Sequence, residues 1–441
     1  MNSPYNCIVM GAAGRDFHVF LSFLKANEKF RVKAFTATQI PFIHERNFPA
    51  LMAGPGYDAD IPIHDESELP DLIRRHDVDF VFFAYSDIAY ADVMHKSSLV
   101  QAAGASFVLL GPEHTQLASQ KPVVSITATR TGAGKSPLTQ FLARLLTDRG
   151  VKTAVIRHPM PYGNLEMQAV QRFATPADLD EHECTIEERE EYEPYVDMGI
   201  PIYAGVDYQA ILDESSQEAD VVLWDGGNND FSFIRPDLDI VVVDSLRAGH
   251  EIDYFPGEVN FRRADILVIS KVRSAAPEAV EGIRERASAL NPKAEVCTAD
   301  LEIEIGDPEQ LNGKRLLVIE DGPTVTHGGM SFGAGTVAAE RCGATTVDPR
   351  PYAVGTIRDT FAANPHLERV LPAMGYSDEQ REALAATINR CCAAEDVACV
   401  VDASPARLDR MLDLDVPLVR VSYGFKQLDG ELIEKRVLDL L

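Results

Sequence analysis

One short segment carries the residue types that bind and move a phosphoryl group. Residues 129–136 read TRTGAGKS, with two glycines ahead of a lysine and a serine. Glycines let backbone N–H groups turn inward to hold phosphate oxygens, the lysine reaches the β and γ phosphates, and the serine hydroxyl binds Mg²⁺. An apolar β-branched run precedes the segment and an apolar helical period follows it. The pattern indicates a nucleotide site with these loop residues: Thr131, Gly132, Ala133, Gly134, Lys135 and Ser136.

The segment departs from the common phosphate-binding loop at one position. Thr129 stands where GxxxxGK[ST] has its first glycine. The loop resembles the variant of dethiobiotin-synthetase-like NTPases, whose loops carry a threonine just before the glycine-lysine end. The expected fold is therefore an α/β P-loop NTPase core of that type.

An aspartate follows a second buried strand, about ninety residues after the loop. The apolar run ending at Trp224 continues into Asp225-Gly226-Gly227. In P-loop NTPases an aspartate at such a strand end holds the Mg²⁺ beside the loop. Lys135 and Asp225 are the predicted catalytic residues, and Ser136 and Asp225 are the predicted Mg²⁺ ligands.

A later strand ends in a segment that bears on base selection. Many GTPases of this class have Asn-Lys-x-Asp there, and this chain has Ser270-Lys271-Val272-Arg273. The aspartate that would pair with guanine is replaced by Arg273, so ATP is the expected nucleotide. Lys271 is retained, and because its stem can cover a base face we include it in the nucleotide site.

Alternating strand and helix patterns divide the 441 residues into three predicted parts. Residues 1–120 are a predicted Rossmann-like α/β domain with a parallel sheet. Residues 121–312 are the predicted P-loop core, and residues 313–441 are its predicted C-terminal α/β extension. The sequence is compatible both with an extension of the core sheet and with a third lobe for this last part.

The N-terminal part contains a glycine turn that invites comparison with dinucleotide-binding folds. Such folds need an acidic residue after the second strand to hold the ribose, and Thr36-Ala37-Thr38 occupies that place. We therefore expect no NAD site. Arg15, Asp16 and His18 follow the turn, where they have either an anion or substrate-regulatory role or a purely structural one.

Composition restricts the partners and the compartment. A net charge of −27 argues against nucleic acid and anionic membranes as partners. The seven cysteines show no metal-ligand spacing, which is typical of a reducing compartment, so we expect a cytoplasmic protein. No apolar run reaches transmembrane length, and the first residues lead into a strand rather than resembling a signal peptide.

Cationic and glycine-rich loops indicate where an anionic substrate could bind. Arg157 and His158 end a predicted strand, the position at which open α/β sheets bind ligands. Glycines between residues 322 and 335 predict a second anion-binding loop, and Arg350 lies on another loop. Besides Arg157 and His158, the candidate substrate-binding residues are Thr326, His327, Gly328 and Arg350.

Several longer motifs resemble one family. RTGAGKS, RHPMPYGNLEMQAVQRFAT, CTIEEREEYEP, WDGGNNDF and EDGPTVTHGGMSFGAG are similar to predicted P-loop GTPases related to archaeal cyclic 2,3-diphosphoglycerate synthetase. The resemblance covers nearly the whole chain. It implies ATP, Mg²⁺ and 2,3-bisphosphoglycerate, closed into a ring by an internal phosphoanhydride with release of ADP and phosphate. In that chemistry Arg172 joins the candidates that offset the substrate's charge.

Two other functions remain open. The same NTPase branch contains nucleotide-hydrolysing switches that assist cofactor or metal-centre assembly, and an ATP-dependent ligase could act on another anionic acid. In each case the expected partners are a nucleotide and, for a synthetase, a small anionic substrate. A homodimer is the expected assembly.

The base-selecting segment yields a test. We expect ATP to bind more tightly than GTP, because Arg273 stands where an aspartate would hold guanine. A competition titration with a fluorescent adenine nucleotide measures the preference. Tighter binding of GTP would contradict this interpretation and would favour a switch.

Overall fold

The computed structural model describes residues 4–12, 14–38, 46–158, 164–227, 230–326, 330–374 and 377–441. The strands are β1 (Tyr5–Met10), β2 (Phe30–Ala37), β3 (Asn47–Phe48), β4 (Ile61–Asp65), β5 (Phe80–Phe83), β6 (Ile88–Ala89), β7 (Ser106–Leu109), β8 (Val123–Ala128), β9 (Thr153–Arg157), β10 (Gln171–Phe173), β11 (Ile202–Ala204), β12 (Val221–Gly226), β13 (Leu238–Asp244), β14 (Tyr254–Phe255), β15 (Ile266–Ser270), β16 (Glu295–Ile305), β17 (Arg315–Glu320), β18 (Thr345–Thr346), β19 (Val370–Pro372), β20 (Cys399–Ala403) and β21 (Leu418–Gln427).

Helices alternate with these strands along the chain. They are α1 (Arg15–Val19), α2 (Ala50–Ala53), α3 (Leu69–Arg75), α4 (Tyr90–Ala103), α5 (Lys135–Asp148), α6 (Pro176–Glu181), α7 (Ile186–Asp197), α8 (Tyr208–Glu218), α9 (His250–Asp253), α10 (Gly257–Arg263), α11 (Pro277–Leu290), α12 (Gly322–Thr326), α13 (Ala334–Arg341), α14 (Gly355–Ala363), α15 (Asp378–Glu395), α16 (Leu408–Met411) and α17 (Leu432–Asp439).

The chain forms two compact units. The first contains Met1–Arg172, Pro201–Ala299 and Gln427–Leu441, and the second contains Phe173–Ile200 and Asp300–Lys426. The division into three parts at residues 120 and 312 stays a prediction.

The first unit contains an N-terminal sheet with strand order β3-β4-β2-β1-β5-β7. Strands β2, β1, β5 and β7 pair in parallel. Aromatic side chains fill one face, where the rings of Phe17 and Phe35 meet edge to face at 5.2 Å. Because Phe17 lies on α1, this packing fixes the loop that leaves β1.

A second sheet of the same unit carries the phosphate-binding loop. Its order is β11-β9-β12-β8-β13-β15-β16, with parallel pairing between these strands. Strand β8 is buried along its whole length, as expected for a central parallel strand covered on both faces. On α5, buried Leu138, Leu142 and Leu146 recur every four residues and form the face turned to the core.

Direct contacts join the two sheets of this unit. Strands β6 and β14 pair antiparallel, with Phe255 opposite Ile88. Phe255 also belongs to the hydrophobic core under the N-terminal sheet. A parallel bridge between Leu117 and Ile234 adds a further connection. The N-terminal sheet therefore shares its core with the P-loop sheet.

The second unit contains a set of parallel strands, in which β17 pairs with β18, β19 and β20, and β20 pairs with β21. Its helix α13 begins beside the end of β17. The carboxylate of Glu320 accepts hydrogen bonds from the backbone N–H groups of Gly333, Gly335 and Thr336 at 3.0, 3.2 and 2.8 Å. The chain thus supplies its own anion to the first turn of α13.

The α/β P-loop architecture predicted from the sequence is confirmed, with parallel sheets and a strand–loop–helix at the predicted place. Within the described ranges, every helix is too short or too polar to cross a lipid bilayer.

The Glu320 contact predicts a local stability effect. Glu320→Gln removes a negative charge from the helix start and places an N–H₂ group toward backbone donors, so we expect a loss of about 1–3 kcal/mol. Hydrogen exchange of the amides at 333–341 measures it. Glu309→Gln, at an exposed position of the same unit, is the matched control, and equal protection in both variants would contradict the prediction.

Candidate nucleotide and substrate site

The loop between β8 and α5 has the backbone geometry of a phosphate cradle. Gly132 and Gly134 have φ values of 76° and 108°, in the region that favours glycine. Gly134 is the N-cap of α5, a helix of 14 residues whose first residue is Lys135. The N–H groups of the loop and the positive end of the helix dipole therefore lie together, as binding of a phosphate requires.

Asp225 lies beside this loop, at the end of the neighbouring strand β12. Its Oδ1 accepts hydrogen bonds from Lys135 Nζ at 2.7 Å and from Thr139 Oγ1 at 2.8 Å. Arg157, at the end of β9, donates to the other carboxylate oxygen. The structure thus brings the two predicted catalytic residues into contact and adds Arg157 and Thr139, of which Thr139 was not predicted.

The partners of Asp225 keep its carboxylate ionised. Its carboxylate is fully buried, and burial alone would raise its pKa. The charges of Lys135 and Arg157 outweigh burial and hold the pKa of Asp225 below its ordinary value. A buried carboxylate that loses one such partner typically costs about 3–5 kcal/mol. The three side chains therefore form one charged unit.

A second carboxylate supports the other side of the loop. Asp244, at the end of β13, contacts Lys271 Nζ at 2.9 Å and Arg247 Nη2 at 2.8 Å. Lys271 Nζ also donates to the carbonyl of Gly132 at 2.7 Å, and Arg247 Nη2 donates to the carbonyl of Thr131 at 2.6 Å. Lys271 therefore lies across the loop, where its predicted contact with a base remains a prediction.

The N-terminal sheet also contacts the phosphate-binding loop. Asp87 follows β5, and its carboxylate accepts from the backbone N–H of Thr131 at 3.3 Å and from Arg130 Nε. The guanidinium of Arg130 lies over the ring of Tyr254, 3.6 Å from the centroid. Sequence reasoning missed Asp87, Arg247 and Asp244 as loop contacts. Asp244 ends a buried strand, as Asp225 does, whereas nothing in the local pattern of Asp87 marks it.

The predicted substrate residues of the first unit divide into two groups. Arg157 and His158 lie at the loop edge, where His158 Nε2 is 3.7 Å from a carboxylate oxygen of Asp230. Arg172 makes a bidentate ion pair with Glu218, at 2.9 and 2.8 Å. Glu218 ends α8 just before β12 begins, at the edge opposite the loop, so the structure does not bring Arg172 to the phosphate cradle.

The candidates of the second unit have internal partners. Thr326 Oγ1 donates to the carbonyl of Gly322 at 2.7 Å. Arg350 forms an ion pair with Asp348 at 2.7 Å. His327 and Gly328 lie outside the described residues. The glycines at the start of α13 hold Glu320, which leaves the predicted second anion loop without support from the described contacts.

The donor set beside the loop fits a nucleotide with its Mg²⁺. In the described part of the chain no three His, Cys, Asp or Glu side chains converge on a metal position. Mg²⁺ at a nucleotide needs only one or two protein oxygens, because phosphate and water supply the others. Arg157 Nη1 reaches both Asp225 and the Ser136 hydroxyl, the latter at 3.4 Å, so the two predicted Mg²⁺ ligands contact the same guanidinium nitrogen.

Comparison with known proteins decides the family. No family model matches the chain. Over 433 residues it is 52% identical to an arginine synthetase, ArcE, of Thermococcus kodakarensis, in a match that covers 98% of this chain and 96% of the relative. The chain belongs to the ArcE family. By this homology it is a synthetase-like P-loop enzyme, and the relative's name contains no reference to cyclic 2,3-diphosphoglycerate.

Two further similarities are weaker. A tetraacyldisaccharide 4'-kinase of Dechloromonas aromatica is 28% identical over 123 residues, which are 27% of this chain and 34% of the kinase. The solved structure of LpxK from Aquifex aeolicus in complex with ATP has a TM-score of 0.44 and 11% identity, covering 80% of this chain and 94% of that one. The family assignment rests on the arginine synthetase.

The contact between Lys135 and Asp225 predicts the behaviour of one variant. Lys135→Ala should abolish turnover of Mg-ATP and the rise in melting temperature that Mg-ATP causes, because the phosphates lose their cation. Arg157 and Thr139 still hold Asp225 in this variant, so it should fold with a reduced melting temperature. Activity measurements and differential scanning fluorimetry test both effects.

The matched control is Lys152→Ala, at an exposed position outside the loop, which should behave as the unmodified protein. Undiminished turnover by a folded Lys135→Ala protein would remove the loop from the mechanism.

Proposed function

We propose that this protein is an ATP-dependent synthetase that forms arginine. The observation that carries the proposal is the 52% identity over nearly the full length of both chains to a protein named for that activity. The geometry supports it, since the phosphate cradle, Lys135, Asp225 and Ser136 lie together at one edge of the sheet. Mg²⁺ is the proposed cofactor.

The chemistry of a guanidinium group explains the need for ATP. A ureido amino acid, L-citrulline, differs from arginine by a C=O in place of a C=NH₂⁺, and its oxygen is a poor leaving group. Transfer of the γ-phosphoryl group of ATP to the ureido oxygen converts that oxygen into part of a phosphate. Ammonia then adds to the carbon to form a C–N bond, the C–O bond breaks, and phosphate departs carrying the former ureido oxygen. The products are arginine, ADP and phosphate.

The residues of the cradle have distinct proposed roles. Lys135 and Arg157 now neutralise Asp225, and on nucleotide binding their charges are near enough to offset phosphate oxygens. Asp225 and Ser136 would hold Mg²⁺, which neutralises charge on the phosphates. The remaining work of the protein is positioning, because phosphoryl transfer depends mainly on alignment and charge stabilisation.

Ring closure of 2,3-bisphosphoglycerate is the second candidate. Besides the motif resemblance, one observation favours it: cationic side chains of the first unit, including Arg130, Arg247 and Lys271, surround the phosphate-binding loop. Each of them contacts a carboxylate, however, so their charges are largely balanced. We therefore rank this reaction below arginine formation as a candidate function.

Two further features belong to the proposal. We propose a cytoplasmic protein, supported by seven cysteines that all remain free thiols. We also propose a homodimer. Light scattering tests it by measuring how the molecular mass depends on enzyme concentration.

The proposed reaction has a direct assay. Purified protein with Mg-ATP, L-citrulline and ammonium should yield ADP, phosphate and L-arginine in equal amounts, measured by chromatography. ADP formation should depend on both the amino acid and ammonium, because activation and displacement are coupled. A parallel reaction with 2,3-bisphosphoglycerate is followed by phosphorus NMR.

The two reactions give separable outcomes. A new phosphoanhydride resonance without arginine formation would replace the first candidate by the second. ADP release that is independent of every acceptor would contradict both and would favour a nucleotide-hydrolysing switch.

A further inference from the structure

Charged side chains are buried where the two sheets of the first unit meet. Arg15, Asp16 and Asp230 are 2%, 4% and 4% exposed. Arg15 and Asp16 lie just beyond the end of β1, and Asp230 lies on the loop after β12, shortly beyond Asp225. Together with His158, which follows Arg157, these side chains form a group that we call the buried charge cluster. It adjoins the phosphate edge of the P-loop sheet.

The charges of this cluster are incompletely satisfied. Arg15 Nη1 and Asp230 Oδ1 are 3.5 Å apart, an ion pair without hydrogen-bond geometry. Within the described residues, Arg15 Nε and Nη1 and Asp230 Oδ1 have no hydrogen-bond partner. The guanidinium lies over the rings of Phe231 and Phe255, 4.0 and 5.0 Å from their centroids. Buried donors and acceptors of this kind normally have partners, so the cluster is suited to a polar ligand.

His158 connects the cluster to the phosphate cradle. Its imidazole lies between two glycines: a Cβ on Gly14 would be 1.7 Å from the ring, and a Cβ on Gly227 would be 2.6 Å from the Cβ of His158. Its backbone N–H donates to the carbonyl of Gly226 at 3.4 Å. Because His158 is adjacent to Arg157, which holds Asp225, a ligand in the cluster would be next to the phosphoryl acceptor position.

The balance of charge indicates the class of ligand. The cluster offers one guanidinium for a carboxylate, and two carboxylates, of Asp16 and Asp230, for a cation. A substrate with several phosphates would be repelled by those carboxylates, whereas a zwitterion satisfies both signs. Burial raises the pKa of Asp230 to about 7 in spite of Arg15, and an arriving ammonium group would favour its ionised form.

We propose that the buried charge cluster binds the α-carboxylate and α-ammonium groups of an amino-acid substrate, with Arg15 on the carboxylate and Asp230 and Asp16 on the ammonium. The inference deepens the proposed arginine-forming function and rests on it. It leaves the side chain of the amino acid to extend toward the phosphate cradle, where the ureido oxygen would meet the γ-phosphoryl group.

Binding of two related ligands tests the contact of Arg15. L-arginine and agmatine differ by the α-carboxylate, and isothermal titration calorimetry with the Mg-ADP complex of the protein measures both affinities. We expect L-arginine to bind at least about tenfold more tightly than agmatine, the effect of one charged hydrogen bond. In Arg15→Met this ratio should fall to nearly one through loss of L-arginine affinity, while Mg-ADP affinity stays within about twofold.

A matched control separates recognition from stability. Arg31→Met removes another arginine that lies over an aromatic ring, Tyr57 at 4.6 Å, at the opposite end of the N-terminal sheet. This control should keep the tenfold ratio. A purely structural role of Arg15 would weaken both ligands equally and leave the ratio unchanged, which would overturn the proposal.

The ammonium contact has its own comparison. 5-Guanidinopentanoic acid lacks the α-ammonium group, so it should bind at least about tenfold more weakly than L-arginine, and Asp230→Asn should remove that difference. If Arg15→Met does not fold by circular dichroism, the Arg15→Lys protein and the ligand series on the unmodified protein decide the question. Equal affinity of the unmodified protein for L-arginine and agmatine would reject the site.

Failure of the proposed function looks different from failure of this site. If L-arginine and L-citrulline do not bind the unmodified protein at all, arginine formation itself is wrong. If they bind and are turned over, but the ligand ratios are insensitive to Arg15 and Asp230, the function stands and the amino-acid site lies elsewhere.

Discussion

The buried carboxylate of Asp225 is the constraint on which the edge of the sheet beside the phosphate-binding loop depends. It lies at the end of β12 without solvent contact, and it is ionised because Lys135 and Arg157 lie against it. An ionised group at that depth is expensive without such partners. The lysine of the phosphate-binding loop, the arginine at the end of β9 and the aspartate must therefore be placed together for any of them to be tolerated.

Parallel strand order produces that placement. Strand β12 lies between β8 and β9, so the loop after β8, Asp225 and Arg157 all leave the sheet at the same edge. The N-terminal sheet brings Asp87, Arg15 and Asp16 to the same region through a shared core and the β6–β14 pairing. Both sheets therefore contribute side chains to this edge, although the phosphate-binding loop belongs to the P-loop sheet alone.

Much of the fold and of the candidate site could be predicted from the sequence, because the local sequence patterns were strong. Two glycines before Lys135 and an apolar strand before Asp225 are sufficient to predict a P-loop and its partner, and strand-end reasoning also led to Arg157 and His158. Contacts that depend on distant chain segments gave no such signal: Asp87 reaches the loop only after the two sheets pack. Glycines before α13 predicted an anion site, and the structure places Glu320 there instead. The acceptor was the hardest part, since one phosphate cradle serves many substrates, and the side chains that we propose to select it, Arg15, Asp16 and Asp230, are dispersed along the chain.

The imidazole of His158, held between Gly14 and Gly227, restricts which substitutions this protein can accept during evolution. A side chain at Gly14 would overlap the imidazole, so a replacement there is tolerated only after the histidine has become smaller. A side chain at Gly227 would overlap the Cβ of His158, which every residue except glycine retains, so position 227 is expected to stay glycine. Positions 14 and 158 are consequently expected to vary together among related sequences, with the change at 158 first. A homologue with alanine at the first glycine and an unchanged histidine would need a different approach of the N-terminal sheet to the phosphate edge.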